Sequence, residues 1–103
     1  MILHRRIHKL KVDRFEEGLS LARELNRIAS AKLGKQGKVY HPSMLGSSLS
    51  RRHVVVDTYH DSLSTMEEYY RAFLDLPEVQ SLLPRWNDVE EESWAENFVV
   101  AEA

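Results

Sequence analysis

Apolar and polar positions alternate imperfectly over residues 2–12. Ile2, His4, Arg6, His8, Leu10 and Val12 fall on one face, and Leu3, Arg5, Ile7, Lys9 and Lys11 on the other. Period-two alternation with aliphatic and β-branched content predicts a strand. Polar groups on both faces are unusual for a strand inside a sheet, and they point to a site or to a neighbour of opposite charge. The period then changes. Phe15, Leu19, Ala22 and Ala29 form a helical stripe, widened by Leu21, Ile28 and Leu33. Asp13 and Glu16 have capping-box spacing, and Gly34 suits the position just past a helix end, so a helix is predicted over 13–33.

Residues 34–50 read as loop with a short strand at 38–41, and Gly46-Ser47-Ser48 as the turn into the next strand. That strand, from Arg51 to Tyr59, is centred on Val54-Val55-Val56, apolar on both faces and therefore expected to be covered on both. Ser64 and Glu67 form a second capping-box pattern. The helix they open carries Met66, Tyr69, Tyr70, Phe73 and Leu74 on one stripe. Pro77 is expected to end or kink it, and a short helix then runs over 78–83 up to Pro84. Residues 88–100 alternate again, with Glu90, Glu92, Trp94, Glu96, Phe98 and Val100 on one face.

The first strand is rich in Lys and Arg and the last in Glu, so the two are favourable antiparallel neighbours. Strand–helix–strand–strand–helix–strand with the outer strands adjacent is the ferredoxin-like βαββαβ plan, an α+β fold. Right-handed crossovers give an antiparallel sheet of order 4-1-3-2 with two helices on one face. The other face is left bare. A chain this short has no spare element to cover it, so a second copy, as a homodimer, is the expected partner.

Composition narrows this picture without redirecting it. With 103 residues, 43% hydrophobic and 29% charged, residues 1–103 are expected to form one domain with a modest core. The absence of cysteine excludes disulfides, thiolate nucleophiles and cysteine-bound metals. No apolar run reaches the length of a membrane span, and Arg5-Arg6 interrupt the start of the chain where a signal peptide needs apolar residues. A cytoplasmic protein that does not enter membranes is the expectation.

The net charge of −2 conceals a division. Residues 1–53 carry twelve Lys and Arg against four acids, and residues 54–103 two Arg against twelve acids. A basic half can attract nucleic acid. The alternative is that the halves are neighbours and neutralise one another, which is favoured because the acidic half repels phosphates. An RNA-recognition module also needs exposed aromatics on its central strands, and the first strand has none, so no nucleic-acid partner is expected. Gly34-Lys35-Gln36-Gly37-Lys38 lacks the first glycine and the final hydroxyl of a phosphate-binding loop and reads as a solvated turn.

Two stretches, Arg6-Ile7-His8-Lys9-Leu10-Lys11 running into Asp13-Arg14-Phe15-Glu16-Glu17, and Tyr59-His60-Asp61-Ser62-Leu63-Ser64-Thr65-Met66-Glu67-Glu68-Tyr69, resemble the dimeric α+β barrel superfamily. This superfamily includes the antibiotic-biosynthesis monooxygenase-like and NIPSNAP-like small domains. Leu76-Pro77-Glu78-Val79-Gln80 is similar to the break after its second helix. The resemblance implies two sheets closing into a barrel, with a ligand cleft between sheet and helices in each subunit. Activities in the superfamily range from cofactor-independent oxygenation of aromatic or quinone-like compounds to haem degradation, isomerisation and decarboxylation. Fold alone does not choose among them. The haem-degrading members carry an iron-binding histidine on the second helix, and residues 64–83 contain none.

Five histidines raise the question of a metal. His4 and His8 are four strand residues apart, roughly 13 Å, too far to share one ion. His41 and His53 are brought closer by a hairpin around residue 47 but lack a third ligand, so neither a metal nor a cofactor is expected. The remaining chemistry is proton transfer on an enolisable or phenolic ligand. The candidates are His8 or His60 as base, Arg6 for a developing oxyanion, and Tyr59, Tyr70, Trp86 and Trp94 as walls for a ring. Against this stands a non-catalytic dimerisation or ligand-sensing module in which the aromatics are core and Arg6 pairs with a glutamate of the last strand.

Overall fold

The computed structural model describes residues 1–43 and 49–101. In chain order it contains β1 (Ile2–Leu10), α1 (Phe15–Leu33), β2 (Lys38–Tyr40), β3 (His53–His60), α2 (Leu63–Asp75), α3 (Pro77–Val89) and β4 (Glu90–Val99). The sheet order is β2-β3-β1-β4, antiparallel at every pairing. This is the expected ferredoxin-like α+β order, with a third helix in place of the short segment predicted over 78–83. The expected turn at Gly46-Ser47-Ser48 lies outside the described residues.

Several helix ends differ from the sequence reading. Asp13 sits in the left-handed region at φ 65° and does not cap; α1 starts after Arg14 with no side-chain cap. At the other end Gly34, φ 69°, closes α1 as expected, its N–H donating to the Ser30 carbonyl. The box that opens α2 uses Ser62 and Thr65, each side chain bonding the other's backbone N–H, and not Ser64 and Glu67. Pro77 occupies the first turn of α3, where a missing N–H costs nothing. Pro84 lies inside that helix and does not stop it, so α3 runs on to Val89 and passes directly into β4.

The core lies between the sheet and α1 and α3, around Leu10, Leu19, Ala22, Val54, Trp86 and Val89. Gly18 lets α1 approach β1: a Cβ there would lie 2.3 Å from Leu10 Cδ1. The opposite sheet face carries the Arg5–Asp57 pair, two hydrogen bonds of 2.9 Å each, and leaves Trp94 and Phe98 37% and 42% exposed.

The charged halves are spatial neighbours. Arg5–Asp57, Lys9–Glu91, Arg52–Glu91, Arg14–Asp88 and Lys32–Glu78 all join the basic half to the acidic one. Within the β1–β4 ladder, Arg5 faces Glu96 and Lys9 faces Glu92. Neutralisation between the halves therefore accounts for the asymmetry.

Candidate functional site

A cavity of about 280 Å³ opens between the helix-facing side of the sheet and all three helices. Its floor is Arg6 and His8 of β1, Val56 and Thr58 of β3, and Glu90 and Ser93 of β4. Its walls are largely apolar: Ala22, Leu25 and Ala29 of α1, Tyr69, Tyr70 and Phe73 of α2, and Leu83 and Trp86 of α3. Its size is just below the range typical of pockets for drug-sized ligands.

The floor is decided by strand parity. In β1 the even-numbered residues face the helices, and in β3 likewise Val54, Val56, Thr58 and His60. In β4 the odd-numbered residues Ser93, Ala95 and Asn97 face them, opposite His8, Arg6 and His4. The register shifts between Lys9 and Leu10, whose partners are Glu92 and Glu90, so that Glu91 is an extra residue in β4. Glu90 consequently turns to the helix side. The expectation that Glu90 shares a face with Glu92 and Trp94 is corrected by this bulge.

At that point His8 Nδ1 and Glu90 Oε1 are 2.5 Å apart, both groups largely buried. The Trp86 ring meets His8 edge-on with centroids 4.7 Å apart. Burial pushes the Glu90 carboxyl up, but the hydrogen bond with His8, with Trp86 and the Arg6 charge nearby, brings it below the usual carboxylate range. An ionised Glu90 accepts a hydrogen bond from the Nδ1–H of His8, which leaves the Nε2 lone pair of His8 as its basic site.

Arg6 is half-buried beside this pair. Among the described residues no carboxylate lies within ion-pairing distance of it, so the expected pairing with a glutamate of the last strand does not form. Its neighbour Arg5, on the other face, takes Asp57 instead.

A second polar group lies at the other end of the cavity. Thr58 Oγ1 and His60 Nε2 are 2.8 Å apart, and Thr58 and Tyr70 both line the cavity at this end. His60 is 1% and His4 5% exposed, and His60 Nδ1 and His4 Nε2 have no hydrogen-bond partner. Burial, with Lys35 and His4 nearby and only Asp61 opposing, lowers His60 to about 4. Burial raises the Tyr70 phenol, so it stays protonated at neutral pH.

The structure thus brings together Arg6, His8, Tyr70 and Trp86 of the expected site residues. His60 lies on the same sheet face but reaches the cavity only through Thr58 and Tyr70. Tyr59 and Trp94 are corrected as cavity walls: parity turns both to the opposite face, where Trp94 packs on His53 at 5.7 Å. The sequence reading missed Glu90 and Thr58. Thr58 is readable from its position two residues from Val56, whereas Glu90 depends on the bulge. His41 packs on Phe15 while His53 packs on Trp94 across the sheet, and among the described residues no three metal-ligating side chains converge. No described helix is long and apolar enough to cross a membrane.

No protein-family model matches the chain, and no curated protein does. Solved structures do. An uncharacterised NIPSNAP domain protein from Burkholderia xenovorans superposes with a TM-score of 0.80 at 16% identity, over 98% of this chain and 95% of that one. A NIPSNAP family protein from Agrobacterium tumefaciens gives 0.78 at 20% identity, over 95% and 90%. A candidate antibiotic biosynthesis monooxygenase from Nitrosomonas europaea gives 0.73 at 10% identity, over 99% and 100%. The chain has the fold of the NIPSNAP domain and antibiotic biosynthesis monooxygenase-like proteins, in agreement with the resemblance drawn from its sequence.

Proposed function

We propose that this protein is a homodimer that binds a small aromatic or quinone-like compound in the cavity and removes a proton from it. This is the first step of a cofactor-independent monooxygenase or isomerase. The observation that carries the reading is the His8–Glu90 pair on the floor of an apolar cavity, with the unpaired Arg6 beside it. His8 Nε2 takes the proton, Glu90 fixes the ring and stabilises the imidazolium, and the electron pair stays on the ligand as an enolate or phenolate facing Arg6. For an isomerase the same proton returns to a different carbon. For an oxygenase the carbanion is the electron donor to dioxygen.

Proton exchange tests this directly. A panel of aryl ketones and naphthols is incubated with the protein in deuterium oxide, and incorporation at the acidic carbon is followed by NMR. Exchange that is lost in His8→Asn and Glu90→Gln supports the reading. Exchange that is absent, or unchanged by both substitutions, rejects it.

The non-catalytic alternative is favoured by one observation, the largely apolar lining of the cavity. It predicts ligand binding that Glu90→Gln leaves intact and no exchange at all. The homodimer is supported by the exposed aromatics on the bare sheet face, Tyr40, Tyr59, Trp94 and Phe98.

A further inference from the structure

We infer that the compound taken by the cavity is an open-chain 1,3-dicarbonyl carrying an aryl group, with both of its oxygens held by the Arg6 guanidinium. The inference rests on the proposal that the cavity binds a carbon acid for His8, and names the class of that acid.

Arg6 is the exception among the Arg and Lys residues of β1. Arg5, on the opposite face, has Asp57 at 2.9 Å, and Lys9 has Glu91 at 3.2 Å. Arg6 is half-buried on the cavity floor, and among the described residues it has no carboxylate within ion-pairing distance. The register explains why. Its cross-strand neighbours are Val56 on β3 and Ala95 on β4, and neither side chain can accept a hydrogen bond. Its same-face neighbours on β1 are His4, whose Nδ1 meets Asn97, and His8, whose Nδ1 meets Glu90. An unpaired charge against apolar walls is unfavourable unless a partner arrives. The fold thus presents a cation whose counter-group has to come from the ligand.

The shape of that group follows from the fork. A guanidinium offers parallel N–H donors in one plane, and so selects a planar group with two oxygens on one side. His8 adds a second requirement, because an imidazole is a weak base and takes a proton most readily from a carbon whose anion is well stabilised. A 1,3-dicarbonyl meets both. The C–H bond between its carbonyls breaks, the proton passes to His8 Nε2, and the electron pair spreads over two oxygens that lie side by side. Both oxygens then accept from Arg6. The acidic carbon is on the far side of the dicarbonyl from the fork, which agrees with the spacing of Arg6 and His8, two strand residues or about 7 Å. The aryl group is left to the rings of α2 and α3 that wall the cavity.

The probe is benzoylacetone, whose enolate has its own near-ultraviolet band. Butyrophenone, with one carbonyl, and phenylacetate, with two oxygens but no comparably acidic carbon, are the comparisons. At pH 8 benzoylacetone is expected to bind as the enolate, roughly 10-fold or more tighter than butyrophenone, the range of a charge-assisted hydrogen bond. Arg6→Lys keeps the charge but loses the fork, and should weaken the enolate complex roughly 10-fold. Arg6→Met should abolish the bound enolate band without lowering the urea midpoint of the free protein, since it deletes an unpaired charge. A lowered midpoint would show that Arg6 serves the fold and would overturn the inference. So would benzoylacetone bound no better than butyrophenone, phenylacetate bound more tightly than either, or an enolate band that survives both Arg6 variants. Exchange into the aryl ketones and naphthols that depends on His8 and Glu90 still upholds proton abstraction in those cases, so the two readings fail separately.

Discussion

His8 and Glu90 meet because β4 carries one residue more than β1 along the same length. Down the ladder from Ile2–Val99 to Lys9–Glu92 the pairing is regular; at Leu10 it steps over Glu91 to Glu90. A regular ladder would turn Glu90 to the bare face with Glu92 and Trp94, and His8 would look into the cavity without a carboxylate. The bulge is thus the feature that creates the base.

Glu90→Gln is a direct test. The amide keeps the place of the carboxylate but no longer stabilises the imidazolium. Proton exchange should fall on the order of 10²-fold, as on loss of general-base catalysis, with the sheet retained by circular dichroism. Deleting Glu91 should spare exchange, because with one residue fewer the ladder becomes regular with Glu90 still opposite Leu10 on the helix side. Exchange undiminished by Glu90→Gln would show that the pair is not the base.

Gly18 is expected to be intolerant of the smallest addition. Its Cβ would stand 2.3 Å from one Leu10 methyl and 2.8 Å from the other, with Leu10 itself fully buried. Overpacking costs about 1–3 kcal/mol, partly offset by the gain of up to about 1 kcal/mol in helix propensity from Gly to Ala. Gly18→Ala should therefore lower the urea midpoint. The cost should shrink in a Leu10→Ala background, where the room exists, giving a coupled double-mutant cycle. Additive effects would mean the two do not touch.

The bare sheet face predicts its own variants. Trp94 and Phe98 are exposed there, with the Arg5 guanidinium 5.5 Å from the Phe98 ring. If a second copy covers this face, Trp94→Lys with Phe98→Lys should give a monomer by light scattering while the parent is a dimer. A monomeric parent at micromolar concentration would end the homodimer proposal.

The sheet order and the helix-bearing face were legible because they follow from period and charge. Lys9 and Arg5 opposite Glu92 and Glu96 settle the neighbour of β1, and Val54-Val55-Val56 settles the central strand. Helix starts were less so, since Ser62 and Ser64 both have a helix-compatible partner three residues on and only backbone geometry chose Thr65. Pro84 misled because a proline inside a helix usually ends it, yet burial of Val79, Trp86 and Val89 holds α3 together across it. The site was half legible. Arg6 and His8 followed from strand parity and Tyr70 from the apolar stripe of the second helix, whereas Tyr59 and Trp94 failed on parity once the cavity lay on the helix side. Glu90 was hidden, because a bulge has no periodic signature of its own.

His60 sets a pH dependence of stability that is separable from the carboxylates. Its folded value is lowered to about 4 from 6.5. The unfolded chain binds a proton below 6.5 that the folded one refuses until about 4, so the unfolded state carries more protons in that window and stability falls as pH falls through it. Stability from this source is fully present above 6.5 and lost by about pH 4. At about 1.4 kcal/mol per unit the loss over the whole window is roughly 3–4 kcal/mol. His4, lowered chiefly by burial against the pull of Asn97, adds in the same direction. Glu90, whose value also lies below its usual one, contributes only as pH drops under the carboxylate range. Urea midpoints measured between pH 7 and 5 should therefore decline in the parent chain, ahead of carboxylate titration. His60→Gln cannot take up a proton there and should be less stable at pH 7 but markedly flatter with pH. An equally steep decline in that variant would show that His60 is not the group being titrated.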